Sequence, residues 1–305
     1  MTNNTAQYMN HNGTIVSKDN CNVFAFSNAM KYGVSVFEGI RGYIDKHAED
    51  VVLFRVQDHI ERLILNCRIM KMDLDCDAAQ LMNEINKTVK ANAVSTPIHI
   101  RILAYLSDDS SINARGKVSF VIGLTAMASN LNELRTINVG VSTITRISDN
   151  SMPPRVKCVA NYVNNRAADI EAIERGFDGP IMLTSQGFVS EGTGACIFIV
   201  KKGKLITPSV TSDILESLTR DTLISLSNTD LGYSVIERSV GRTELYGADE
   251  IFWCGTAHEI EVIISVDGLV IGNGTTGPIT QQLASAYKDI VHGATDNYSS
   301  WLSRV

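Results

Sequence analysis

The sequence predicts an α+β fold in two domains, and three observations carry that expectation. The chain has 305 residues, 44% of them hydrophobic, more than one typical domain needs and enough to bury a large core or two medium ones. Its first portion alternates short strands with two helices but lacks the regular strand-helix rhythm of a doubly wound sheet. Residues 128–135 then mix polar and apolar side chains without strong periodicity before a fresh strand pattern begins. We therefore expect a small N-terminal domain over 1–128, an interdomain linker over 129–136 and a larger C-terminal domain over 137–305.

The clearest early element is a helix over 58–72, where Ile60, Leu63, Ile64, Cys67 and Met70 form one apolar stripe at helical spacing. Asp58 and Glu61 resemble its capping box. A second helix is predicted over 78–93. Pro97 then resets the chain into strands over 98–106 and 118–126, separated by the polar loop SDDSSINARGK. A strand over 137–145 opens the second portion, followed by a helix over 161–175 that Gly176 stops. Next come a hairpin around Ser185-Gln186-Gly187, a strand over 197–201 and the tight turn Lys202-Gly203. Beyond Pro208 the pattern gives a helix over 217–228, strands over 233–238 and 250–254, further strands to 271 and a last helix from Pro278. No internal repeat of fixed period is visible.

Composition excludes several classes. A net charge of −6 argues against a nucleic-acid binder, which needs clustered Lys and Arg to displace counterions from phosphates. The longest apolar stretch, 118–128, is about half of the roughly 20 residues that span a bilayer. The N-terminal MTNNTAQYMNHNGT lacks the basic and apolar regions of a secretory signal, so a cytoplasmic protein is expected. The 6 cysteines form no Cys-x-x-Cys pair, and free thiols are the expectation.

Two motifs are refused. Gly272-Asn273-Gly274-Thr275-Thr276-Gly277 satisfies a dinucleotide fingerprint, but too little chain follows to supply the second parallel strand and its acidic ribose ligand. A tight turn before the N1 proline Pro278 explains it better. His258-Glu259 starts a zinc-hydrolase pattern whose second histidine position is Val262, so no metal is expected.

The remaining signal is a set of separated segments: YGVSVFEGIRGY at 32–43, HIERL at 59–63, RVKCVANY at 155–162, SEGTGACIF at 190–198, LTRDT at 218–222 and CGTAHE at 254–259. Together they resemble the fold-type IV pyridoxal-phosphate enzymes, above all the branched-chain amino acid aminotransferases, from about residue 12 almost to the end. The specific parts are YGxSVFEGIR and the spacing from Lys157 to Glu191. The resemblance implies a two-domain fold whose larger domain has a β-barrel-like core and carries the catalytic lysine. It also implies pyridoxal 5'-phosphate, amino-acid and 2-oxo-acid substrates, and a homodimer or higher homo-oligomer.

By that resemblance Lys157 is the catalytic amine, which binds the cofactor aldehyde and then moves the α-proton. A lone lysine is more often a solvated surface charge, but Val156, Cys158 and Val159 here would desolvate the amine and favour its reactive form. Glu191 matches the carboxylate that keeps the cofactor ring nitrogen protonated. Its bland alternative is an exposed hairpin acid, against which the following Gly192-Thr193-Gly194 would let backbone approach the cofactor. Arg62, the amides of Leu218 and Thr219 and the hydroxyl of Thr256 match the phosphate-binding set, and Ser217 is independently a good N-cap. Tyr162 matches the phenolate partner, or is a core tyrosine.

On the substrate side Tyr32, Phe37, Gly39 and Arg41 match pocket positions, partly across a dimer interface. The amides of Thr256 and Ala257 match the turn that receives the substrate α-carboxylate, and Arg101 matches an arginine that holds a carboxylate when glutamate binds. The chain departs from the family at His99, where a tyrosine is usual, and at Cys196, usually asparagine. D-amino acid aminotransferases and aminodeoxychorismate lyase share the lysine and stay as alternatives, although YGxSVFEGIR and CGTA sit closer to the branched-chain group. A non-catalytic binding protein is the alternative of a different class, against which the intact set Lys157, Glu191 and Arg62 argues.

Overall fold

A computed structural model describes residues 6–46 and 50–305; the leader reading falls partly on residues 1–5, outside the described residues. The chain forms two compact units. The first comprises Met1–Ala128, Val156–Ala160 and Asp289–Val305, the second Ser129–Arg155 and Asn161–Lys288.

The first unit is a seven-stranded sheet. It is built from β1 (Tyr8–His11), β2 (Thr14–Ser17), β3 (Ser35–Ile44), β4 (Val51–Phe54), β5 (Ile98–Leu106), β6 (Val118–Ala126) and a last strand Leu302–Arg304. Their spatial order is Leu302–Arg304, β4, β3, β5, β6, β1, β2. The short helix α1 (Asn28–Tyr32), α2 (Val56–Ile69) and α3 (Ala78–Ala91) complete the unit. β3 and β5 pair antiparallel from Ser35↔Tyr105 to Gly42↔Ile98. Because side chains alternate faces along a strand, Val36, Glu38 and Ile40 fall on one face with Ala104, Ile102 and Ile100, while Phe37, Gly39 and Arg41 fall on the other with Leu103, Arg101 and His99.

The predicted strands over 98–106 and 118–126 are observed with those bounds. The capping of α2 differs from the expectation. The helix starts earlier, at Val56, after Arg55 in the left-handed region (φ 51), and Asp58 lies inside the first turn, accepting from Arg55 Nε at 2.5 Å. A basic residue that cannot cap is thus tied down by the acid expected to cap. The capping box belongs instead to α3, where Asp77 and Gln80 exchange side chain-to-backbone bonds.

The second unit contains β7 (Thr136–Val141), α4 (Tyr162–Glu174), β8 (Gly179–Ile181), β9 (Cys196–Lys201), β10 (Lys204–Thr207), α5 (Leu218–Thr229), β11 (Val235–Glu237), α6 (Arg242–Tyr246), β12 (Glu250–Gly255), β13 (Glu259–Val266) and β14 (Leu269–Val270). Its sheet runs β11-β10-β9-β12-β13-β7-β8, with β14 on β13. A barrel-like core was expected, but no ladder joins β8 to β11 among the described residues; isolated bridges at Leu183↔Val189 and Phe188↔Gly241 are the nearest link. The strand expected over 137–145 ends at Val141, and α6 has no counterpart in the sequence expectation.

The last helix, α7, covers Pro278–Val291. Its first amides are already occupied: Glu250 Oε1 accepts from Ile279 N (3.1 Å), and Glu250 Oε2 from Thr280 N (2.8 Å) and Thr280 Oγ1 (2.7 Å). A carboxylate thus sits where the refused dinucleotide motif would need a pyrophosphate.

Candidate active site

Lys157 belongs to the first unit because β3 is longer than its neighbour β4. β4 pairs only with Gly42–Ile44, which leaves that edge of Val36 and Phe37 open. The segment Val156–Ala160 fills it: Val36 bridges Cys158 and Phe37 N donates to Lys157 O at 3.0 Å. Lys157 therefore stands opposite Phe37 on one sheet face, its Nζ 4.8 Å from the Phe37 ring centroid. Arg101 lies over the same ring at 5.0 Å, and a cation over an aromatic face is an attractive arrangement. Val156 and Cys158 are buried and Val159 is 39% exposed; Cys158 N donates to Val156 O at 2.8 Å, a tight turn centred on Lys157.

Gly39 and His99 are a size pair. A Cβ on Gly39 would lie 2.5 Å from His99 Nε2, so glycine makes the room into which the imidazole leans. Burial, followed by the positive charges of Arg101, Arg41 and Lys157, lowers the His99 pKa to about 4, which leaves a neutral ring beside three cations at neutral pH. Arg41 is 1% exposed and donates to Ala128 O at 3.2 Å. Tyr32, at the end of α1, is 44% exposed, with Lys31 over its ring.

Arg62 is placed with the other face. Its Nε and Nη2 donate to the two oxygens of Glu38 at 2.7 and 2.8 Å, and His59 Nδ1 lies 2.8 Å from Glu38 Oε2. Glu38 is fully buried, and burial pushes its carboxyl up; Arg62 and His59 more than offset this and hold it at about 2. Burial in turn lowers the His59 pKa, so its neutral ring donates Nδ1–H to the carboxylate.

In the second unit Glu191 is buried, not an exposed hairpin acid. Arg146 Nε and Nη2 reach its Oε1 at 3.1 and 3.0 Å, and Leu215 N donates to Oε2 at 3.2 Å. Arg146 is fixed in turn by Asn165 Oδ1 at 2.7 Å, one turn along α4 from Tyr162. Leu215 leads into α5, whose N-cap Ser217 accepts from Arg220 N as expected. The amides of Leu218 and Thr219 thus occupy the first helical positions, which lack intrahelical acceptors. Gly192 owes its size to packing: a Cβ there would meet the Trp253 indole at 2.9 Å. Thr256 and Ala257 lie in the loop between β12 and β13. Cys196 is a buried thiol whose pKa burial raises well above the ordinary value. It bonds Leu215 O at 3.4 Å.

Sequence reasoning missed Glu38, His59, Arg146 and Asn165 as functional candidates. Glu38 and His59 lie inside quoted segments, but the pairing that gives them weight joins a strand to a helix. Arg146 had no local signal, because its importance comes from a partner 45 positions away.

The chain belongs to the amino-transferase class IV family, whose model matches residues 35–266. It is an α+β transaminase. It is 34% identical over 313 residues to the branched-chain-amino-acid aminotransferase of Escherichia coli K12, covering 100% of this chain and 99% of that protein. Among solved structures, it resembles the branched-chain aminotransferase of the archaeon Thermoproteus uzoniensis with norvaline (TM-score 0.93, 37% identity, 98% of this chain and 99% of that one). It equally resembles the branched-chain amino acid aminotransferase of Thermobaculum terrenum in its PLP-form (TM-score 0.93, 37% identity, 98% of each chain).

Proposed function

We propose that this transaminase moves an amino group between L-leucine, L-isoleucine or L-valine and 2-oxoglutarate with pyridoxal 5'-phosphate, as the names of its relatives suggest. The observation that carries the reading is the face around Phe37, where Lys157 and Arg101 both lie within about 5 Å of one ring. An apolar wall edged by a guanidinium suits a site that takes in turn an aliphatic side chain and the carboxylate side chain of glutamate.

The donor set fits the cofactor: an amine for its aldehyde, a buried carboxylate for its ring nitrogen, and cations and helix-start amides for its phosphate. When bound, pyridoxal phosphate supplies the electron sink for the charge left by the departing α-proton. In the first unit, Lys157 takes and returns that proton as base and acid, and Arg62, its guanidinium plane set by Glu38, serves the phosphate. In the second, Glu191 holds the proton of the ring nitrogen, its own charge balanced by Arg146. The amides of Leu218 and Thr219 and the Thr256 hydroxyl serve the phosphate, and Tyr162 bonds the phenolate. Tyr32, Phe37, Gly39, Arg41, His99 and Arg101 line the substrate, whose α-carboxylate the amides of Thr256 and Ala257 receive.

We extend the proposal to a small N-terminal domain over 1–128, a linker over 129–136 and a larger domain over 137–305, apart from Val156–Ala160 and Asp289–Val305, which pack in the first unit. We place the enzyme in the cytoplasm as a homodimer or higher oligomer. Free cysteines support that compartment, and the exposed Phe24, Phe26, Met30 and Tyr32 support an interface. No helix among the described residues is long and apolar enough to cross a membrane.

The test is single-turnover conversion of the bound cofactor, followed by its visible absorption, with L-leucine, L-glutamate and D-alanine. The L-substrates should convert fastest, and Lys157→Ala should abolish conversion. Faster conversion by D-alanine would move the enzyme to the D-amino acid group, pyruvate release from aminodeoxychorismate would make it a lyase, and near-normal turnover of the Lys157 variant would exclude that lysine.

A further inference from the structure

The loop that follows β12 closes on a residue in an uncommon backbone conformation. β12 and β13 pair antiparallel from Ile251↔Ile263 to Gly255↔Glu259, which leaves Thr256, Ala257 and His258 as a three-residue loop. Such loops often end on a left-handed residue, for which glycine is the default. Here that residue is Glu259, with φ 54, a conformation disfavoured by its Cβ. Glycine would relax the backbone at no steric cost, so the position asks for something its side chain does.

That side chain is 1% exposed. Its Oε2 accepts from Asn130 N at 2.7 Å and from Ser129 Oγ at 3.0 Å. Asn130 completes a bracket, its Nδ2 donating to His258 O at 3.0 Å and Ile260 O at 3.3 Å, the carbonyls on either side of Glu259. His258 is held independently: its Nδ1 lies 2.9 Å from Glu261 Oε2 and its ring meets Trp253 edge-on. At the other end of the loop, a Cβ on Gly255 would lie 2.9 Å from Gly194 O, so backbone packs on backbone there.

We propose that Glu259, acting with Asn130, is a positioning residue that fixes the loop so that the amides of Thr256 and Ala257 point together at the substrate α-carboxylate. The inference rests on the assignment of those amides made above. Glu259 does not touch the substrate; its bracket removes the loop freedom that would otherwise be lost on binding. Glutamine keeps an oxygen that can accept these two bonds.

The experiment compares holoenzyme variants Glu259→Gly, Glu259→Gln, Asn130→Ala and the Glu259→Gly/Asn130→Ala double variant. It reads KM and kcat for L-leucine and inhibition by 4-methylpentanoate and by its uncharged amide. Glu259→Gly should fold well and raise KM and the carboxylate inhibition constant about tenfold, with kcat and inhibition by the amide little changed. Glu259→Gln should stay within about twofold. Asn130→Ala should follow Glu259→Gly, and the double variant should be little worse than either, as residues of one unit are. Unchanged carboxylate inhibition in Glu259→Gly overturns the bracket while sparing the amide assignment. A wild-type enzyme that binds the acid no better than the amide overturns both.

Discussion

Glu38→Gln tests the electrostatics of the first unit most directly. Both oxygens of the buried Glu38 are engaged by Arg62, and Oε2 also by His59. Lowering this carboxyl from its ordinary 4.5 to about 2 corresponds to about 3 kcal/mol of stability at neutral pH. Glutamine keeps one accepting oxygen but turns an amide NH2 toward a guanidinium that is only 13% exposed, and breaking a mostly buried pair costs about 3–5 kcal/mol. We expect a loss of about 3 kcal/mol at pH 7. The sign with pH follows from the lowered value. The unfolded chain takes up the Glu38 proton first, so the contribution is complete above about 4.5 and drains as pH falls toward 2. The gap between wild type and variant should therefore close over that window. Urea unfolding measures it. The chain has 2 tryptophans, so a Trp253→Phe background leaves Trp301 as reporter of the first unit. A variant within 1 kcal/mol of its parent at pH 7, or a gap as wide at pH 3 as at pH 7, would refute the reasoning.

Arg146→Met leaves Glu191 buried without its counter-charge and should cost the second unit about 3–5 kcal/mol, read from Trp253 fluorescence in urea; a loss below about 1 kcal/mol would mean that the pair is incidental. Because the fold holds His99 at about 4, the unfolded chain accepts that proton first, and stability should fall by about 3 kcal/mol as pH drops from about 6.5 to 4. His99→Gln should remove that part of the slope, and an unchanged slope would show that the lowered value is wrong.

The features legible in the sequence were those set by near neighbours. Strands over 98–106 and 118–126 announce themselves by residue type and bounding turns, and Ser217 by its place before a helical pattern. Lys157, Glu191 and the loop around Thr256 came from resemblance to a family, with no account of how they are held.

The tertiary structure decided what depends on distant surfaces meeting. The edge that receives Lys157 exists because β4 stops short along β3, a fact recorded in neither strand alone. Glu191 became a buried ion pair through Arg146, and the small size of Gly192 answers to Trp253. Arg55, not Asp58, precedes α2, and Glu259 accepts a left-handed backbone because Asn130 is there to meet its carboxylate. Periodicity reports which face of an element is apolar. It carries no record of which charged group another part of the chain will bring against it, and in a buried setting that pairing fixes the charge, the orientation and the chemistry of the side chain.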